Sequence, residues 1–144
     1  MKHAIVVFAV SSVLLFSGCS SLMHPKADDF YTQAKGETGK HTALALLAMM
    51  ETSVPQAKGE LGESPGLDNL HNQFHALHKT FCEFTEQQSA TTAFEQAYTI
   101  NKELKTVFHR LWKFKDDTAL RGIHLDLFSD RLQELKKVLQ SIPS

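Results

Sequence analysis

Hydrophobic residues recur at steps of three and four along most of the chain, a spacing typical of amphipathic α-helices. Three runs show the pattern clearly, at residues 67–87, 92–114 and 124–141. The last run alternates between three and four without interruption, as the seam of a helical bundle does. The positions predicted to face inward are Leu67, Leu70, Phe74, Leu77, Phe81, Phe84, Phe94, Ala97, Ile100, Leu104, Val107, Phe108, Leu111, Trp112, Leu125, Phe128, Leu132, Leu135, Leu139 and Ile142.

The residues before the first clear run give weaker signals. Residues 27–35 have a weak helical pattern, and residues 41–52 form a better one, rich in Ala, Leu and Met. Residues 54–66 contain two prolines and three glycines and predict a mobile loop, and residues 116–122 predict the next break. We therefore predict an all-α fold, a small up-down helical bundle of three long helices plus a shorter first helix, within residues 41–144.

The start of the chain has the pattern of a targeting segment. Met1-Lys2-His3 is basic, and residues 4–16 contain no charge. This apolar stretch is too short for a membrane span, which needs roughly 20 residues, and fits the core of a signal peptide. It ends in Leu15-Phe16-Ser17-Gly18-Cys19. That string resembles the lipobox of bacterial lipoproteins, an apolar residue and two small residues before a cysteine.

The resemblance implies that residues 1–18 are removed as a signal peptide and that Cys19 is acylated. Residues 19–40 would then be a tether with a weak helix. The two serines after the cysteine resemble the default signal for sorting to the outer membrane, facing the periplasm. Phe16 departs from the pattern, which prefers Leu there. An uncleaved N-terminal anchor and a buried apolar helix are the alternatives for this segment.

Composition and charge exclude several classes of protein. Lys and Arg number 15 and Asp and Glu 16, so the net charge of −1 gives none of the basic excess of a nucleic-acid binder. A hydrophobic content of 42% and a charged content of 22% are those of a globular domain rather than a disordered chain. Two cysteines cannot build a disulfide-rich scaffold. With a lipid on Cys19, Cys82 would be the remaining thiol.

The chain has eight histidines, and the most informative group includes a cysteine. His71, His75, His78 and Cys82 are spaced four, three and four apart, so on a helix they share one stripe beside the apolar face. Imidazole and thiolate are natural ligands for Zn, Cu or Ni, so a transition metal is a candidate cofactor.

The stripe spans about 16 Å of helix, and one ion could therefore bind at most two of its members. Further ligands on other helices would come from His109, His124, Met49 or Met50. A b-type haem is also allowed by such a set. The alternative interpretations are boundary histidines flanking the core, with Cys82 as a small apolar filler, or a group that responds to pH.

Motifs for catalysis are weak. Residues 71–75 read HNQFH and lack the glutamate of the zinc-protease motif, and CxxCH for haem attachment does not occur. A Cys82–His78 pair on a regular helix would lack a cleft and oxyanion donors. We therefore predict that the protein is not an enzyme. A basic run along the second clear helix, over residues 92–114, and the residue that follows it predicts a solvated face or a contact with lipid headgroups. The run comprises Lys102, Lys105, His109, Arg110, Lys113 and Lys115, with Trp112 among them.

Together these features predict a non-catalytic cell-envelope lipoprotein that acts as an accessory, assembly or pilotin-like module. Its partners would be the lipid bilayer, through acylated Cys19, and an envelope protein, with no nucleic acid. A large apolar groove between helices would favour this function. The alternative is a periplasmic metal-binding or haem-binding lipoprotein that uses His71, His75, His78, Cys82 and His109, which would require a second helix to bring further ligands to the stripe.

Overall fold

The computed structural model describes residues 25–144, so the predicted signal peptide and Cys19 lie outside the described residues. Its helices are α1 (Ala27–Ala34), α2 (Gly39–Lys58), α3 (Pro65–Thr80), α4 (Glu86–Ser89), α5 (Thr92–Lys113) and α6 (Thr118–Ser141). No strand occurs in this part of the chain, and the predicted all-α fold is confirmed. Between residues 25 and 144 no helix is both long and apolar enough to cross a membrane.

The four longer helices form a bundle in which neighbouring helices run antiparallel. α2 packs against α3 on one side and α6 on the other, and α5 packs against α6. Between α2 and α6, Lys136 Nζ lies 2.9 Å from Glu51 Oε2, and Lys58 Nζ lies 2.6 Å from Asp126 Oδ1. Residue numbers that rise along α2 therefore fall along α6. The predicted up-down arrangement is present. The first long helix, α2, has 20 residues and is longer than α3, which has 16, whereas the sequence predicted a shorter first helix.

α3 and α5 meet through large side chains rather than through a close approach of their backbones. The ring of Phe108 on α5 stacks on that of Phe74 on α3, with centroids 5.9 Å apart, and contacts Phe128 of α6 edge-on at 5.8 Å. Further along, Asn101 Nδ2 lies 3.0 Å from His78 Nδ1. This side of the bundle is consequently wide, and a pocket opens there.

α1 belongs to the same packed unit as the four longer helices. Its Phe30 and Ala34 are buried in the hydrophobic core, and the helix packs on α3 and α2. The Tyr31 hydroxyl donates a hydrogen bond of 2.6 Å to the carboxylate of Glu83, just after α3. The weak helix that the sequence predicted over residues 27–35, within the tether, therefore contributes to the core as α1.

The prediction of a mobile loop over residues 54–66 was wrong. α2 continues through Pro55 to Lys58, and only residues 59–64 connect it to α3. The sequence suggested a break because proline removes a helical hydrogen bond. Packing outweighs that loss, since Val54 and Ala57 are buried in the core. The last carbonyls of a helix have no partner within the helix, and here the Ala57 carbonyl accepts hydrogen bonds from a side chain of α6.

That side chain is Arg121, which is only 2% exposed and uses all five of its N–H donors. Nε and Nη2 donate to Ala57 O at 3.1 and 2.7 Å, Nη1 donates to Gly62 O at 2.8 Å and to Lys115 O at 2.9 Å, and Nη2 donates to Ser64 Oγ at 3.2 Å. Burial lowers the pKa of the guanidinium. Arg121 thus ties the end of α2, the following loop and the α5–α6 turn together.

α3 also ends earlier than the predicted helix over residues 67–87. It stops at Thr80, where the start of α2 approaches it closely. The Gly39 N–H donates to Glu83 O at 3.3 Å, and a Cβ on Gly39 would lie 2.8 Å from Thr80 O. Only glycine fits this contact. After Thr80 the chain turns, and α4 begins at a Thr85 cap.

Capping residues set the starts of the last two long helices. Thr91 accepts a 3.1 Å hydrogen bond from the Phe94 N–H at the start of α5. Asp117 accepts a 2.9 Å bond from the Leu120 N–H, so α6 begins at Thr118. The predicted start near residue 124 was therefore about two turns too late.

Candidate functional site

A pocket of about 350 Å³ lies between α3 and α5, on the wide side of the bundle. Its floor is aromatic and consists of Phe74, Phe108 and Trp112. Its rim is basic and consists of His71, His75, Lys105, His109 and Lys113. No acidic side chain of residues 25–144 lines it. Its volume falls at the lower end of the range of about 300–1,000 Å³ that is typical of ligand pockets.

Helical spacing on two facing helices explains this composition. On α3, His71 and His75 are one turn apart and flank Phe74. On α5, Lys105, His109 and Lys113 are spaced four apart and form one row. The row is one half of the basic run seen in the sequence, and the aromatic side chains beside it fill the gap between the helices.

The two α3 histidines are in direct contact. Their Nε2 atoms lie 2.8 Å apart. The ring of His71 stacks on Phe108 with centroids 5.5 Å apart and lies 5.0 Å from the ring of Trp112. Burial lowers the pKa of His71, and the charge of His75 lowers it further. The neutral form of His71 is favoured, so one imidazole donates the shared hydrogen bond and the other accepts it.

The structure separates the other members of the predicted histidine–cysteine stripe from this pair. His78 bonds to Asn101, a fully buried side chain whose Oδ1 has no partner among the described residues. Cys82 lies in the turn after α3 and is an exposed free thiol. His109, by contrast, lines the same pocket as the pair. Across residues 25–144, no three His, Cys, Asp or Glu side chains form a ready metal cluster.

The remaining ligands suggested by the sequence lie elsewhere. The ring of His124 stacks on Phe114 with centroids 5.7 Å apart, outside the pocket. Met50 is fully buried in the core, and Met49 packs against it. Neither methionine lines the α3–α5 pocket. Of the further metal ligands that the sequence suggested, His109 is the one that lines the same pocket as the histidine pair.

A second and more open groove, of about 530 Å³, lies between α5 and α6. Its charged residues are mostly acidic and include Glu95, Glu103 and Glu134. Arg131 occupies the same groove and pairs with Glu134 and, at 3.5 Å, with Glu103. Sequence reasoning did not predict this groove, because its side chains come together only through the register of α5 against α6.

A pentapeptide in the α2–α3 connection matches a nucleophile pattern that sequence reasoning missed. Gly62-Glu63-Ser64-Pro65-Gly66 has the spacing G-x-S-x-G, which in hydrolases places a serine on a sharp strand-to-helix turn. Here the serine follows a helix, is buried, and caps α3 by accepting a hydrogen bond of 3.4 Å from the Leu67 N–H. Its hydroxyl also accepts from Arg121. The serine is a structural cap.

The α3–α5 pocket therefore offers three kinds of interaction. Its aromatic floor can accept apolar groups, its lysines can pair with anions, and its imidazoles can take up protons or metal ions. The chain matches no protein family model, no curated protein and no solved structure.

Proposed function

We propose that this protein is a non-catalytic lipoprotein of the cell envelope that binds an envelope protein in the α3–α5 pocket. Acylated Cys19 would anchor it in the outer membrane, facing the periplasm. The observation that carries the proposal is the composition of the pocket, an aromatic floor with a basic rim and no acidic lining among residues 25–144. The lipobox-like residues before Cys19 support the anchor.

The chemistry of the pocket selects an acidic segment with an apolar side chain. Phe108 and Trp112 offer a surface for one aromatic or branched aliphatic side chain, whose burial contributes about 1.5–3 kcal/mol. Lys105 and Lys113 are exposed, so ion pairs with neighbouring carboxylates contribute at most about 1 kcal/mol each. The total corresponds to a dissociation constant near the millimolar range. Confinement of both partners to one membrane would raise their effective concentration, which favours binding at this weak affinity.

The position of α1 fits such an anchor. Cys19 and Ala27 are eight residues apart, which is at most about 28 Å of extended chain. α1 attaches near the end of α3, where Asp28 lies 3.6 Å from Lys79. His71 is eight residues from Lys79, or about 12 Å along the helix. A short tether would hold the α1 end near the membrane and leave the pocket on the part of α3 further from it.

The anchor predicts that the protein incorporates a fatty acid at Cys19. We expect metabolic labelling with a fatty-acid analogue to mark the protein in a bacterial host and the Cys19→Ser variant to remain unlabelled and unprocessed. Cys82→Ser is the matched control and should be labelled like the wild type, because Cys82 lies within the bundle domain. Equal labelling of the Cys19→Ser variant would contradict the anchor.

The pocket predicts that a short peptide with a central Phe flanked by Asp binds the protein weakly. We expect NMR titration to shift the indole N–H of Trp112, the single tryptophan of the chain. The double variant Lys105→Glu/Lys113→Glu should weaken binding by about tenfold or more, since two attractions become repulsions.

The matched control for this titration is Arg110→Glu/Lys137→Glu, which makes the same charge change at exposed positions outside the pocket. It should bind the peptide about as well as the wild type. The proposal fails if the two double variants bind equally or if the peptide shifts residues remote from Trp112.

A further inference from the structure

The contact between His71 and His75 has the geometry of a chelate. The residues are one turn apart on α3, and their Nε2 atoms face each other at 2.8 Å. Without a metal, one proton lies between the two nitrogens. A metal ion would use the same two lone pairs. Stacking on Phe108 and contact with Trp112 hold the ring of His71 in this orientation, so the pair is preorganised for chelation.

The ligand type selects the metal, because the 2.8 Å between the two nitrogens is the length of their hydrogen bond. Two nitrogens at about 2.0 Å from one ion are about 2.8 Å apart when they occupy adjacent positions of a square-planar or octahedral ion. On a tetrahedral Zn²⁺ ion with bonds of about 2.05 Å they are about 3.3 Å apart. The hydrogen bond of 2.8 Å leaves the two nitrogens close to the first geometry, so a small adjustment of the side chains would admit an ion. Cu²⁺ and Ni²⁺ adopt it with nitrogen ligands, and imidazole sites bind Cu²⁺ more tightly than the other divalent metals of the series.

We propose that His71 and His75 bind one Cu²⁺ ion at the rim of the α3–α5 pocket. His75 is exposed, so the ion reaches the pair from solvent and water completes the coordination. His109 lines the same pocket from the opposite helix, although no three such side chains of residues 25–144 form a ready metal cluster. With two neutral imidazoles and no carboxylate from residues 25–144 in the lining, the site is open and exchangeable rather than a closed structural one.

The copper site and the partner site share one pocket but can be tested separately. The copper site rests on two α3 side chains, whereas the lysines that select an acidic partner lie on α5. These lysines are exposed and hydrated, and salt screens their repulsion of the ion. Peptide titrations with a chelator present therefore test the pocket, while titrations with copper alone test the histidine pair.

The test is a titration of the untagged protein, purified from membranes in detergent, with copper(II) chloride. All proteins carry His3→Ala, which removes any chelate between His3 and the N-terminal amine in unprocessed chains. Fluorescence of Trp112 reports binding, because a paramagnetic ion at His71 lies beside that ring and quenches it. Electron paramagnetic resonance counts the nitrogens bound to copper.

We expect one Cu²⁺ per chain, coupling to at least two imidazole nitrogens, and quenching of Trp112. His75→Ala, which changes an exposed side chain, should weaken binding by about tenfold or more, as should His71→Ala. His41→Ala removes an exposed histidine at the start of α2 and should leave the affinity unchanged. Equal affinity of the His75→Ala and His41→Ala variants would overturn the proposal, as would tighter binding of Zn²⁺ than of Cu²⁺.

Discussion

Replacing Arg121 by methionine is expected to lower the free energy of unfolding by about 3 kcal/mol or more. Methionine retains an apolar stem but none of the five donors. The carbonyls of Ala57, Gly62 and Lys115 would lose these partners inside the bundle. A buried polar group left without a partner costs about 1–3 kcal/mol. The loss should exceed that of an average core substitution because one side chain holds three segments together.

Urea unfolding followed by circular dichroism measures this loss. Arg110→Met is the matched control, since Arg110 is exposed on α5, and it should change the free energy of unfolding by less than about 0.5 kcal/mol. Arg121→Lys keeps the charge but offers three donors from one point, so it should lie between the wild type and Arg121→Met. If the Arg121→Met and Arg110→Met variants unfold at the same urea concentration, Arg121 does not stabilise the fold.

The helical bundle could be predicted because its longest helices carry an uninterrupted periodic pattern. α5 begins at the predicted residue, 92, and ends at Lys113, one residue before the predicted end. Phe108 and Phe128 were both expected to face inward, and both are buried in the shared core. Burial of one face requires hydrophobic residues at regular positions over many turns of such a helix. The pattern can therefore be recognised without knowing which helices pack against it.

Helix ends could not be predicted in the same way, because hydrophobic spacing records burial rather than backbone conformation. Phe81 and Phe84 continue the apolar stripe of α3, and this led to the prediction of a helix that continues past Thr80. In the structure they lie in the turn after α3, and both rings contact Phe94 of α5, at 5.9 and 5.0 Å. These side chains are packed as the pattern requires, although the backbone is no longer helical.

The site was partly predictable for a related reason. The spacing of four residues between His71 and His75 places them together on any helix. Their association with His109, and the separation of His78, depend on the register of α3 against α5. That register is set by large aromatic side chains in the gap and by the partly buried hydrogen bond between His78 and Asn101. No local pattern in one helix contains this information.

Replacing Gly66 by alanine is expected to lower the free energy of unfolding by about 1–3 kcal/mol. Gly66 lies in the first turn of α3, where that helix meets the end of α2. A Cβ atom there would lie 2.5 Å from Ala57 N and 2.9 Å from Ala57 Cα. Both are backbone atoms and cannot rotate away, so the two helices would have to separate. The separation would also strain the hydrogen bond of 3.0 Å from the Gly66 N–H to Glu60.

The same substitution at Gly122 should have the opposite effect. Gly122 lies inside α6, and a Cβ there would meet no atom of residues 25–144 within 4 Å. Alanine in a helix is favoured over glycine by up to about 1 kcal/mol, so Gly122→Ala should stabilise the protein. Chemical denaturation of the Gly66→Ala and Gly122→Ala variants measures whether each substitution lowers or raises the free energy of unfolding. A gain in stability at both positions would mean that α2 and α3 do not require their close approach at Gly66.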